Sequence, residues 1–257
     1  MDCSISTLML DQKEQEKAIE LAHELGVTLE IFPMWPEEEF VRFIKEHSSV
    51  LRGIVSSFHE PFHFCEHSAR HGSREHQETL DTCRRTFECA ANLAAKHMVF
   101  HHNNRQVTPA AKEDMIKYSR ENLHEMNEIA AEYKIPYLVE NAGVVPWHNM
   151  LFTEDEFIAL FDEIDNDCLL DIGHVHCNGW DLQRIMNALS GRIAAYHVHN
   201  NDGIYDSHKR VTDGTITMAA FIHLCNKLTP GAQIILEYAR GTKVDIVGLR
   251  DDIRWFR

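Results

Sequence analysis

The chain has 257 residues, 44% of them hydrophobic, and its 25 Lys and Arg against 40 Asp and Glu leave a formal charge of −15. A surface of that sign repels phosphate backbones and anionic bilayers, so nucleic acid is a poor partner, and no apolar run approaches the ~20 residues that cross a membrane. Seven cysteines (Cys3, Cys65, Cys83, Cys89, Cys168, Cys177 and Cys225) form an odd set without a Cys-x-x-Cys pair. With no basic, apolar leader at the N-terminus, the expectation is a cytoplasmic protein whose thiols are reduced, small buried or surface groups.

In chain order, a strand near 2–8 gives way to a helix from Glu14 to Leu25, where Ala18, Ile19, Leu21, Ala22 and Leu25 share one side and Gly26 supplies the stop. Strands near 27–33, 52–58 and 97–101 follow. Thr108-Pro109 opens a long helix to about Tyr133, with Pro at the first helical position. Beyond a strand near 135–140, Thr153-Glu154-Asp155-Glu156 is a capping box for the helix carrying Phe157, Leu160 and Phe161. Strands near 167–171, 192–199 and 232–237 complete the set, the last two preceded by Gly191 and Gly231, placed as helix stops. Eight strand–helix units without a linker or composition break predict one (β/α)8 TIM barrel over residues 1–257, close to the ~250 residues typical of that fold. A doubly wound sheet is the runner-up, but no Gly-x-Gly-x-x-Gly follows the first strand.

Four of these strands run apolar and then stop on metal-binding side chains: Glu140, Asp171, His199 (after His197) and Glu237. A buried strand gains nothing from a terminal carboxylate unless something compensates the charge, so four such ends predict one converging divalent-metal site. Strands three and four also end on polar groups, at His59-Glu60 and His101-His102. A barrel demands functional groups at this end of its strands. Each residue has a plainer reading. A lone Glu at a strand end usually caps a helix or faces solvent, and Asp171 suits a turn cap. His197 points to the same face as His199 and competes with it, as His102 does with His101. Asp206 and His208 are candidates for structuring a loop. His63, His67, His71 and His76 read as a solvated loop rather than a second metal site. Phe32, Trp35, Phe62 and Trp147 lie just past strand ends, as pocket walls or core.

The segments Phe58-His59-Glu60-Pro61, Glu140-Asn141-Ala142-Gly143, Asp171-Ile172-Gly173-His174, His199-Asn200-Asn201-Asp202, Asp206-Ser207-His208 and Ile235-Leu236-Glu237 together resemble the xylose-isomerase-like TIM-barrel superfamily. That group includes sugar-phosphate isomerases and epimerases, inosose isomerases and dehydratases, and endonuclease IV. The resemblance spans essentially the whole chain in strand order. It implies an isomerase-type metal site of Glu140, Asp171, His199 and Glu237, with His174 contacting substrate hydroxyls. It also supplies His59, His101, Asp206 and His208 as candidates for the second set of ligands that endonuclease IV adds, or for contacts to substrate in the pocket.

Three carboxylates and one imidazole suit Mn²⁺, Mg²⁺, Co²⁺ or Zn²⁺ without choosing among them. A cation so held can bind a carbonyl and its neighbouring hydroxyl and stabilise an enediolate. Glu140 and Glu237 approach from strands five and eight, as a base and an acid on opposite faces of one carbon. The expected protein is therefore a metal-dependent isomerase or epimerase of a small sugar or other polyhydroxylated carbonyl compound. Alternatives are a dehydratase of an inosose- or dehydroshikimate-like substrate, an endonuclease IV-like phosphodiesterase, and a metal-binding barrel without catalysis. Neither nucleic acid nor membrane is an expected partner. The oligomeric state stays open, a homo-oligomer included. Lys209, Arg210, Gly214 and Arg240 are available to a phosphate near strands seven and eight, but complete no phosphate motif.

Overall fold

Strand residues alternate between two faces, and that alternation determines where this chain places its polar groups. In the computed structural model, which describes residues 1–243 and 245–257, eight parallel strands close into a barrel in sequence order. They are β1 (Cys3–Ser6), β2 (Thr28–Ile31), β3 (Val55–Phe58), β4 (His97–Phe100), β5 (Tyr137–Glu140), β6 (Asp167–Asp171), β7 (Ile193–Val198) and β8 (Gln233–Leu236). Each strand pairs with the next, and β8 returns to β1 through the register Ser4 to Ile235. All eight predicted strands are present.

The outward residues, among them Phe58, Phe100, Tyr137, Leu170, Tyr196 and Leu236, join the large core under the surrounding helices. The inward residues form separate layers. At the floor, Ser4, Thr28, Ser56 and Gln233 hydrogen-bond to one another. Val99, Leu138, Leu169, Ala195 and Ile235 make a small apolar cluster. Two residues further along each of those strands, the same face carries His101, Glu140, Asp171, His197 and Glu237. The site is thus one more layer of the barrel filling, written in polar residues.

The helices are α1 (Glu16–Leu25), α2 (Glu38–Ile54), α3 (Arg74–Asn92), α4 (Lys112–Tyr133), α5 (Glu154–Leu160), α6 (Ile172–Cys177), α7 (Leu182–Ala188), α8 (Met218–Leu228) and α9 (Ile246–Arg254). Gly26 closes α1 at φ 63°, a left-handed cap that costs glycine little. The Thr153–Glu156 capping box opens α5 with both reciprocal bonds formed. Three expected boundaries move. Residues 52–54 belong to α2 rather than β3, because Leu51 completes the helical stripe of Phe40 and Phe43. Helix α4 begins at Lys112, not at Pro109: the Thr108 carbonyl accepts the amides of Ala111 and Lys112, making a separate turn first. Gly191 lies beyond the end of α7, which closes on Leu189, so it is a turn residue and not the helix cap.

The histidine-rich stretch after β3 differs from its expectation. His63 and His71 are exposed, but His67 and His76 are buried. His67 packs its ring on Phe100 at 4.4 Å, so the loop folds inward rather than lying in solvent. No helix among the described residues is long and apolar enough to cross a membrane.

Candidate metal centre at the barrel mouth

The carboxylates of Glu140, Asp171 and Glu237 converge on one imidazole nitrogen. His197 Nδ1 lies 3.4 Å from Glu140, 3.6 Å from Glu237 and 3.9 Å from Asp171. Its other nitrogen, Nε2, is held 3.0 Å from Glu30, an inward residue of β2. His197 lies one layer deeper than His199, and with His59 and Glu237 it forms a further group whose donor atoms fall within 4.8 Å of one another. His199 Nε2 stands at the upper rim, 3.1 Å from Asp171 Oδ2. Asp171 also caps α6, accepting the His174 amide at 2.7 Å, so the turn cap and the site are one side chain. Asn141 clamps the Asp171 backbone from both sides.

The remaining sequence-predicted residues flank this centre in two groups. On one side, His101 Nε2 lies 2.8 Å from Glu140 Oε2, and His59 Nε2 lies 3.7 Å from Glu237 Oε1. On the other, Asp206 is shared by His174 at 3.2 Å, His208 at 3.0 Å and His199 at 3.6 Å. The rings of His199 and His208 stack at 3.7 Å. All nine candidate residues are brought together. His102 turns away, reaching Ser119 Oγ and packing on Phe152.

At Glu140, Asp171, Asp206, His101 and His208 burial opposes the charge, and mutual pairing overrides it. Burial works to raise the Glu140 carboxyl, but His101 and His197 hold it well below the usual range. His174 and His208 hold Asp206 low in the same way, and His174 and His199 bring Asp171 down to about 2. Burial likewise disfavours the imidazoliums, yet Glu140 and Glu60 bring His101 up to about 9, and Asp206 does the same for His208. By contrast, burial, helped by the neighbouring His101 and His67, pushes His102 down to about 3.

The donors fit a divalent cation. His174 Nδ1, His197 Nδ1, His199 Nδ1 and Asp206 Oδ1 are buried without a well-formed hydrogen bond, an arrangement that costs stability unless a ligand satisfies it. Groups such as His174, His199, Asp206 and His208, or His59, His101 and Glu140, each keep their donor atoms within 4.8 Å of one another. Carboxylate and imidazole are the ligand types that Zn²⁺, Mn²⁺ and Co²⁺ accept. Gly173 is a requirement of the packing, since a Cβ there would stand 1.9 Å from the His199 ring.

Sequence reasoning missed three supporting groups. Glu30 orients His197. Glu60 accepts the His101 amide at 3.1 Å and Asn104 at 2.7 Å. Asn104 in turn meets His101 Nδ1 at 3.2 Å. An acidic residue inside the run Thr28–Ile31 was the signal for Glu30, and Glu60 stood at the polar end of strand three without a role assigned to it; Asn104 had no signal.

Above the cluster opens a cavity of about 220 Å³, walled by Phe32, Phe62 and Trp147 and edged by Arg240. Trp35 is core, packed edge-on against Phe40. Arg240 is the one basic residue of the expected phosphate set that lines the cavity; Arg210 is committed to Asp252. A larger hollow of about 730 Å³ lies at the other end of the barrel, beside Pro136 and Asp167, and takes in none of these groups. Barrel sites form at the C-terminal ends of strands, which selects the smaller cavity.

Among curated proteins, the chain is 29% identical over 148 residues to the uncharacterized protein MJ1614 of Methanocaldococcus jannaschii, a match covering 56% of this chain and 55% of that protein. The chain thus aligns with only about half the length of this relative. Among solved structures, the IOLI protein with a bound zinc atom superposes with a TM-score of 0.80 at 18% identity, over 100% of this chain and 95% of that one. A D-tagatose 3-epimerase-like protein gives 0.78 at 19% identity, over 100% and 98%. Identities this low establish the fold alone. Residues 17–257 match the family described as Xylose isomerase-like TIM barrel, and the chain belongs to that family.

Proposed function

We propose that the protein is a divalent-metal-dependent isomerase or epimerase of a small sugar or related polyhydroxylated carbonyl compound. The observation that carries this reading is the pair Glu140 and Glu237, which reach one cavity from β5 and β8 while both border the same candidate cation centre. Glu140, Asp171, His199 and Glu237 would hold the cation, which when bound polarises the substrate carbonyl and offsets the charge developing on its oxygen. Glu140 removes the proton from the carbon beside the carbonyl. Glu237 serves the opposite face, where a proton is returned, and in the reverse direction the roles exchange. Such transfers each contribute ~10²–10⁴-fold. His174 and His208 reach the cavity from the rim and bind substrate hydroxyls, and His59 and His101 do so from the β3–β4 side. The aromatic walls exclude water from the exchanging proton. The zinc in the IOLI protein and the epimerase kinship of the second neighbour support the same chemistry. The test is a panel of ketoses incubated in D₂O with metal-loaded protein. Carbon-bound deuterium in at least one substrate and its isomer is expected; exchange in none would remove the proposal.

One observation favours a second reading. The two flanking groups, His59 with His101 and His174 with Asp206 and His208, offer donors for more than one cation. Multinuclear sites serve phosphoester hydrolysis by holding both the attacking and the leaving oxygen. Two or three tightly bound ions per chain, together with metal-dependent release of phosphate from small phosphoesters and no deuterium exchange, would favour it.

A further inference from the structure

Behind the cavity wall, where the loop after β3 meets α3, two thiols and an imidazole share one buried spot. Cys65 and His67 come from the loop and Cys83 from the helix, and all three are buried. The sulfurs of Cys65 and Cys83 lie 3.6 Å apart, and Cys83 Sγ lies 4.0 Å from His67 Nε2. The three donor atoms fall within 4.8 Å of one another. A carboxylate closes the group: Glu60 Oε2 stands 3.1 Å from the same imidazole nitrogen.

The spot is rigidly built. Asn122 donates to the carbonyls of His67 and Ala69 at 2.6 and 2.9 Å, and Asn104 donates to that of Cys65 at 2.9 Å. The Thr79 hydroxyl accepts the Glu66 amide, tying the loop to α3. The two sulfurs are weakly bonded by comparison, their contacts to each other and to His67 lying at the long end of the range, while His67 Nε2 is paired with Glu60. Buried polar atoms so loosely satisfied carry a cost that a shared cation would remove.

We propose that Cys65, His67 Nε2, Cys83 and Glu60 form a second, thiolate-containing divalent-metal site, independent of the chemistry assigned to the barrel mouth. A tetrahedral zinc ion with Zn–S about 2.3 Å and Zn–N or Zn–O about 2.0–2.1 Å sets its ligand atoms about 3.3–3.8 Å apart. Three of the six edges, at 3.6, 4.0 and 3.1 Å, approach those values, and Glu60, which adjoins the group only through His67, would have to turn toward the sulfurs to complete the set. A disulfide would instead require the two sulfurs to close to about 2.05 Å. Soft thiolates select Zn²⁺ or Co²⁺ over Mg²⁺ and Mn²⁺, so the two sites differ in metal preference. On binding, the thiol protons and the proton that His67 Nε2 shares with Glu60 pass to solvent, and no redox change occurs. The consequence for the mouth is positional. Glu60, fixed by the cation, presents its carboxylate to the His101 amide and to Asn104, which set the ring facing Glu140.

Cobalt substitution tests this with a readout blind to oxygen and nitrogen ligands. The purified full-length chain loaded with Co²⁺ should show the near-ultraviolet sulfur-to-cobalt charge-transfer band. The band should vanish in Cys65→Ser and in Cys83→Ser, yet persist in Asp171→Ala, which disables the centre at the mouth. Should the serine variants fail to fold, X-ray absorption of the zinc-loaded wild type decides instead, with sulfur scatterers expected at about 2.3 Å. A wild-type protein with no such band, or with only oxygen and nitrogen around zinc, overturns the proposal. A reductant-reversible loss of two hydrogens in the intact mass under non-reducing conditions overturns it in favour of a disulfide.

Discussion

At the scale of single residues, the mouth of the barrel sets carboxylates against imidazoles, and a cation bound there as proposed would compete with the protons those groups hold. His101 and His208 are each held up at about 9, against an ordinary value of 6.5, by Glu140 with Glu60 and by Asp206. Both imidazoliums repel a cation bound at Glu140 and Asp171 beside them, so metal affinity should climb as pH rises toward 9 and level off above it. Stability of the chelated protein runs the opposite way. A raised imidazole contributes stability fully below 6.5 and loses it as pH rises through about 9. Asp171, held down at about 2, contributes above its ordinary 3.8 and fails only as pH falls through about 2. Melting temperatures with chelator should therefore decline between pH 6.5 and 9, while those of the metal-loaded protein should not. Parallel curves would show that no cation binds beside these imidazoles. Asp171→Ala removes a ligand that also caps α6 and should abolish tight binding, measured by elemental analysis after gel filtration.

The elements explain which parts of the site were legible. Period-two alternation alone put His101, Glu140, Asp171 and Glu237 on the inner face two residues above Val99, Leu138, Leu169 and Ile235, and that is readable from any strand. What could not be read is what depends on register between distant strands. The Glu30–His197 pair joins β2 to β7 across 167 residues, and no local pattern shows it, so His197 looked like a rival to His199 when it lies beneath it. The β3 boundary failed for a related reason: Leu51, just before the expected strand, serves the helical stripe of Phe40 and Phe43, and α2 continues through residues 52–54. Burial of His67 depended on Phe100 of the neighbouring strand. Gly173 in α6 gives a prediction at this scale. In Gly173→Ala the new methyl would meet the His199 ring at 1.9 Å, so the ring must move. Metal affinity should fall on the order of 10–100-fold, as for other supports of metal ligands, with far-UV circular dichroism unchanged. Wild-type affinity in this variant would remove His199 from the ligand set.

At the scale of the whole molecule, a charge of −15 and a cavity of about 220 Å³ restrict the partners more than any one residue does. The protein should not retain duplex DNA at physiological salt, whatever metal it holds. Metal-dependent incision of a duplex containing an abasic site would contradict that and turn attention to the flanking histidine groups. The family supplies the scaffold and leaves the reaction to the mouth, where Glu140 and Glu237 stand on two sides of one centre. The most direct measurement compares solvent-deuterium incorporation with product formation in the wild type, Glu140→Gln and Glu237→Gln, all metal-loaded. In the wild type the two should run together. Each Gln variant should lose turnover by a factor on the order of 10² or more, yet still exchange a substrate C–H on the one face its remaining carboxylate serves. If both variants turn over at the wild-type rate with metal bound, these two glutamates are not the acid and base of the reaction.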